Sequence, residues 1–298
     1  MGLKKEERNS HRATRATLRF SFGVLCLAFV LHPVGARQSS SPGELDLPFM
    51  EPISLGNPDV ADSKNATTTF GVIPPGTILP IRLNTTLSSL KNKAGQGITG
   101  RVMQDVPLPN GAKIAEGSKV AGHIVAVTSG KGGARAEISL QFDGLIAWHR
   151  TTPIATNLRA IAGFMEVVAA QTPQIGLGEG DVARWQTTRQ IGGDVVYGVG
   201  GPVTTAENAE GVVGSGVDSG VLVRVSAKPG SKCRGAIGGD DSVQALWVFS
   251  SDACGTYDLA HVRVEHAGRT SPAGVIILAS DETNLKISSG AGMLLRVD

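Results

Sequence analysis

A chain of 298 residues has room for one large domain or two smaller ones with a substantial core. Its formal net charge of +2, with no Lys/Arg run beyond the amino end, argues against nucleic acid as a partner. Thirty-nine glycines beside an aromatic content of 4% indicate many tight turns around a small-residue interior.

The amino end reads as a targeting segment. Lys4, Lys5, Arg8, Arg12, Arg15 and Arg19 precede an apolar run from Phe20 to Leu31, and Val34-Gly-Ala36 is a small-residue cleavage signal. The apolar run is shorter than the about 20 residues that span a bilayer, so a signal peptide over residues 1–36, cleaved after Ala36, is expected, with no stable transmembrane helix after processing. Cys26 lacks the small residue before it that lipidation requires. Export is the expectation. Residues 37–70 are rich in Ser, Pro, Asp and Asn without periodicity and read as a disordered linker. Asn65 and Asn84 head sequons that chance explains in so Thr-rich a sequence.

From Ile73 the pattern becomes turn, then strand. Pro75-Gly76 suits the centre of a type II turn, and Leu79, Ile81, Leu83 and Leu87 then fall on one side at period two. The idiom Ile73-x-x-Gly-Thr77 returns as Ile114-x-x-Gly-Ser118, where Gly again releases the chain into a strand through a hydroxyl residue. Between them, Gly95-Gln-Gly97 precedes a strand over residues 98–106, and Asn110-Gly111 supplies positive φ for a hairpin loop. Ser129-Gly-Lys-Gly-Gly133 is a hairpin tip. Lys131 is followed by glycine and a strand, not by the Ser/Thr and helix of a phosphate loop.

Ala136, Ile138, Leu140 and Phe142 alternate with polar residues, as in a half-buried strand. Over residues 153–168, Ile154, Leu158, Ile161 and Phe164 suit either a strand or a short helix. The stretch 171–216 is dominated by Gly, Thr and Asp, and its glycine clusters open no helix of a dinucleotide fold. Strand signals return at residues 220–226, 244–250, 257–264 and 274–279. The last stretch, from Leu285 to Val297, reads as a terminal strand with Met293, Leu295 and Val297 in one register. A kink or bulge is expected at Gly290-Ala-Gly292, and the strand is expected to pack beside the opening one, whose edge would otherwise stay exposed.

Three of these pieces carry a family resemblance. Leu79-Pro-Ile-Arg-Leu83 after Pro-Gly-Thr, Val102-Met-Gln-Asp-Val106, and Ile114-x-x-Gly-Ser-Lys-Val-x-Gly122 resemble the TrbI-like family, the β-barrel scaffold subunits of bacterial conjugation and type IV secretion machines. The match continues weakly through residues 138–146 and resumes at residues 289–297. The resemblance implies an all-β, TrbI-like β-barrel built from residues 71–175 and 282–298, interrupted by an inserted β-rich subdomain at 176–281. It also implies self-association, other cell-envelope proteins as partners, and a bacterial periplasm or an outer-membrane-associated site.

The insertion holds Cys233 and Cys254, and export makes a disulfide between them the leading reading, with two buried thiols as the alternative. Such a bridge contributes about 3 kcal/mol in the chain-entropy picture. No catalytic or cofactor motif is found. His261 and His266 leave opposite faces of a strand, His123 and His149 are isolated, Asp240-Asp241 reads as a solvated turn, and Trp148, Trp185 and Trp247 are scattered. The expected role is therefore a non-enzymatic envelope scaffold without cofactor or metal. The alternatives are a glycan- or small-ligand-binding module using the insertion, and a hydrolase pairing Ser250 or Asp241 with His261.

Overall fold

A computed structural model describes residues 72–147, 149–173, 187–205, 211–225, 243–265 and 274–298. They fall in the second of two units, Ser63–Asp298. The leader and linker expected over residues 1–70 lie outside the described residues. The architecture is all-β. The first half of the chain forms β1 (Ile78–Leu83), β2 (Leu87–Ser88), β3 (Gly97–Val102), β4 (Val106–Pro107), β5 (Lys113–Ile114), β6 (Lys119–Thr128), β7 (Ala136–Ala147), β8 (Arg150–Pro153) and β9 (Thr156–Ala162). One helix, α1 (Phe164–Gln171), follows. Then come β10 (Thr187–Arg189), β11 (Val195–Tyr197), β12 (Pro202–Thr204), β13 (Val212–Val217), β14 (Gly220–Arg224) and β15 (Val243–Ala245). The chain ends with β16 (Gly255–Tyr257), β17 (Val262–Glu265), β18 (Ile276–Ser280), β19 (Lys286–Ile287) and β20 (Gly292–Val297).

The repeated turn has a single mechanism. Gly76 and Gly117 take φ of 90° and 84°, and the hydroxyls of Thr77 and Ser118 each donate back to the carbonyl three residues earlier, Pro74 and Ala115, at 2.7 Å. Glycine supplies the left-handed conformation and the hydroxyl closes the turn, so both strands leave in a fixed direction.

Ten strands form one sheet in the order β16-β9-β20-β1-β3-β6-β7-β18-β17, with β8 also on β7. All pairings are antiparallel except β16 with β9. The end strands β16 and β17 lie side by side, so the sheet is a nearly closed barrel. Its interior holds Leu79, Ile81, Leu83, Ile98, Val102, Ile138, Leu140 and Phe142, as period two requires. The terminal strand does pair with the opening one: Leu79 lies opposite Leu295 and Ile81 opposite Met293.

The expected irregularity falls elsewhere. Gly290 turns with φ of 90°, but the register shift lies between Leu294 and Leu295 against β9, where Ala160 and Leu158 are successive partners. Arg159 is the extra residue. Without this bulge Leu158 and Ile161 would face opposite sides; with it, both enter the barrel core. That odd spacing is what makes residues 153–168 ambiguous in sequence, and they form β9 followed by α1.

The second sheet runs β10-β11-β12-β13-β14-β15 as an antiparallel meander. It occupies only residues 187–245. Strands β16, β17 and β18, which the sequence pattern places in the 176–281 insertion, belong to the barrel sheet. Meander and helix cover the outer side of β1, β20 and β9. Ile78, Leu294, Ala160 and Ala162 face outward into a second core with Val167, Val203, Val223, Trp247 and Phe249. This part of the wall is therefore apolar on both faces.

Leu295 is fully buried, so Leu295→Asp places an unpaired carboxylate in the barrel core and should cost about 4 kcal/mol. Hydrogen exchange checks the pairing. Gly76 N–H donates to Val297 O (2.8 Å) and Leu83 N–H to Ala291 O (2.9 Å), and both amides should lose protection in the variant.

Candidate functional site

Beyond the shared apolar core, two glutamines join the sheets. Gln104, 1% exposed in the turn after β3, accepts from Trp247 N–H through Oε1 (2.7 Å) and donates from Nε2 to Val221 O (2.8 Å). Across the same junction Gln244 Oε1 accepts from Ile78 N–H (3.1 Å). Trp247 has φ of 54°, an uncommon backbone state for a bulky residue, and its ring is buried against Gly292. Gly220 is required here by close approach: a Cβ would lie 2.6 Å from Trp247 Cα and 2.7 Å from Gln104 Oε1.

Beside this junction a cleft of about 550 Å³ opens between the carboxyl end of α1 and the second sheet. Ala170 and Gln171 line one side, Asp218 to Gly220 another, and Gln190, Trp247 and Val248 also contribute. With its amide nitrogen turned inward, Gln190 donates to Trp247 O (2.9 Å) and Val248 O (3.1 Å), fixing the strained turn from the other side. The lining is largely aliphatic, with amide and hydroxyl groups and one carboxylate, Asp218, at its edge, which suits a small ligand with few charges.

Behind the cleft lies a buried polar node. Arg159, wholly buried on its bulge, donates from Nε to Ala253 O (2.9 Å) and from Nη2 to Ser251 O (3.1 Å), and Nη1 has no acceptor among the described residues. Burial pulls its pKa down to about 10 against the opposing charge of Asp252, so the guanidinium stays protonated at neutral pH. Asp194, 4% exposed, accepts from Ser251 N–H at 2.7 Å. Burial raises its pKa above the usual carboxylate range, although the Ser251 hydrogen bonds oppose the shift. Ser250 donates to Asp252 (2.8 Å), and Tyr257 Oη accepts from Cys254 N–H (3.0 Å). Burial also raises the Tyr257 pKa.

The expected site residues are scattered by comparison. Cys254 is fully buried beside the node; Cys233, Asp240, Asp241, His266, Trp148, Trp185 and Ala36 lie outside the described residues. Ser250 is committed to Asp252, whereas His261 sits 3.6 Å from Glu282 on an exposed turn before β17, so the nucleophile–base pair weighed for a hydrolase is not assembled from these two. His123 pairs with Asp143 at 2.9 Å. No group of three His, Cys, Asp or Glu side chains among the described residues could hold a metal ion, and no described helix is long and apolar enough to cross a membrane. Trp247 fills a core and offers no stacking face. Comparison with protein-family models, curated proteins and solved structures returned no match.

Two predictions follow from this geometry. Gly220→Ala should displace the Trp247 turn and cost about 2 kcal/mol, visible as a shifted Trp247 indole resonance and a lower melting temperature. Asp194 is an acid whose folded pKa exceeds its unfolded value, so the stability it contributes is present below the ordinary carboxylate pKa and is lost as pH rises through the raised value. Asp194→Asn keeps an acceptor for Ser251 N–H. It should be more stable than the parent at neutral pH, with the difference shrinking on acidification in denaturant titrations.

Proposed function

We propose that the chain is an exported, non-enzymatic scaffold or assembly protein of the bacterial cell envelope, resembling the TrbI-like barrel subunits. The observation that supports the reading is the nearly closed barrel in which β1 pairs with β20, two strands that lie in segments bearing the resemblance. The polar side chains support it as well: Gln104 and Gln244 hold the two sheets together, and Arg159 holds the turn over residues 251–253. In this reading residues 1–36 direct export, Cys233, in the segment between β14 and β15, is bridged to Cys254, just before β16, and neighbouring copies or other envelope proteins are the partners.

Expression in a bacterium with the native leader tests the proposal. The protein should be recovered from the periplasmic or outer-membrane fraction beginning at Arg37. Non-reducing peptide maps should link Cys233 to Cys254, and chemical cross-linking in intact cells should trap assemblies larger than one chain. An unprocessed cytoplasmic monomer with two titratable thiols would overturn the reading.

The cleft favours a second reading, a small-ligand-binding module. The strained Trp247 backbone beside an open cavity is the specific reason. Val217→Trp, which fills the cleft, should leave assembly intact and abolish ligand-induced shifts of the Trp247 indole.

A further inference from the structure

The strand register places three cations in one line on the outer face of the barrel. Arg82 on β1 lies directly opposite Arg101 on β3, and Arg101 lies directly opposite Lys119 on β6. Residues opposite one another in an antiparallel pair share a face, with Cα atoms about 5 Å apart. The face is the outer one, because the flanking residues Ile81, Leu83, Val102 and Val120 all point into the barrel core. Arg101 and Lys119 are exposed and Arg82 is half-buried.

Like charges directly opposite each other destabilise a sheet, and natural strands usually set an acid across from a base. Here no ion pair among the described residues offsets the repulsion. The carboxylates of the neighbouring segments are committed elsewhere: Asp105 to Lys113 Nζ and the Glu116 amide, Glu116 to the Ser219 hydroxyl, and Asp143 to His123. None of the ion pairs among the described residues includes Arg82, Arg101 or Lys119. The adjacent row on the same face, Thr99 opposite Ala121 and Ala121 opposite Gly144, carries no charge. The row is therefore a ridge of positive charge with no carboxylate paired to it among the described residues, held at fixed spacing by the backbone ladder. The chain as a whole is nearly neutral, so this concentration is local and does not reflect an excess of base.

We propose that Arg82, Arg101 and Lys119 form an oxyanion-binding row that takes a phosphate ester or pyrophosphate group. The two guanidinium groups can each present paired N–H donors to phosphate oxygens, and the ammonium adds a point charge at the exposed end. A single carboxylate would leave two of the three cations uncompensated, whereas a multiply charged phosphate group matches the row. The group can belong to a soluble compound or to a lipid headgroup. This site lies on the barrel wall, separate from the cleft, and does not depend on the scaffold reading.

The test uses the full chain and two probes: inorganic pyrophosphate followed by calorimetry, and phosphatidylcholine vesicles with or without phosphatidic acid followed by co-sedimentation. The variant is Arg101→Gln with Lys119→Gln, and Lys91→Gln, exposed in the loop after β2, is the control. Loss of two charge-assisted contacts should weaken binding about tenfold or more, while the control is unchanged. Pyrophosphate binding lost in the double variant supports a soluble ligand; binding seen only on phosphatidic acid vesicles and lost in that variant supports a headgroup. Melting at low salt gives a readout without ligand. Removing the repulsion should raise the melting temperature of the double variant, and high salt should erase the difference. Binding of neither probe, or equal binding by parent and double variant, overturns the proposal.

Discussion

The pairing of β1 with β20 is the constraint on which the rest of the molecule depends. It joins the two ends of the described chain, Ile78 opposite Arg296 through Arg82 opposite Gly292, and adds bonds beyond the strands at Gly76 and Leu83. Without it the ordering of everything between would be a loop-closure cost with no closing contact. The opening strand would also expose an apolar edge. With it, β20 becomes a central strand, flanked by β1 on one side and β9 on the other. The strand can hold that position because Met293, Leu295 and Val297 point into the barrel while Leu294 points out into the second core.

Burial on both faces explains why polar groups are spent at the junction of the sheets. Backbone groups that leave a ladder inside an apolar sandwich must be satisfied by side chains, since water cannot reach them. Gln104 and Gln244 do this between barrel and meander, and Arg159 does it for the turn over residues 251–253. Arg159 also shows how one residue can serve two levels of structure. Its backbone makes the bulge that turns Leu158 and Ile161 to the same side, and the same bulge delivers the guanidinium to the far face of β9. Its neighbours Leu158 and Ile161 are inside the barrel; its own hydrogen bonds are outside it.

Much of the barrel was legible in the sequence. The paired turns at Gly76-Thr77 and Gly117-Ser118, the alternation from Ala136 to Phe142 and the register of Met293, Leu295 and Val297 are local signals, and local geometry is what period and turn chemistry encode. The assignment of strands to sheets was not. Residues 255–280 carry the same alternating pattern whether they pair within an insertion or return to β9 and β7, because the partner is chosen by packing far along the chain. The bulge at Arg159 left a trace, an odd spacing of Leu158 and Ile161 that fits neither period cleanly. Gln104 left none: the pattern runs a strand from Ile98 to Val106 through it, whereas β3 ends at Val102 and Gln104 sits in the turn that follows, clamping Trp247. Asp194 resembled any turn aspartate after two glycines, and only its burial distinguishes it.

Close approaches occur in both sheets, and one strained backbone stands at the cleft. Trp247 holds a left-handed backbone beside it, and Gly220 admits no Cβ against that residue. Gly216 would meet Gly198 O at 2.3 Å, and Gly192 would meet Ser250 Oγ at 2.0 Å. A scaffold that needed only to join two sheets could do so with relaxed strands and larger side chains. Strain persists where surrounding structure over-determines it, and here Gln104 and Gln190 hold the Trp247 turn from both sides. The same contacts that fasten the meander to the barrel therefore shape the wall of a cavity. The wall of the cleft and the junction of the two sheets thus share one tryptophan backbone.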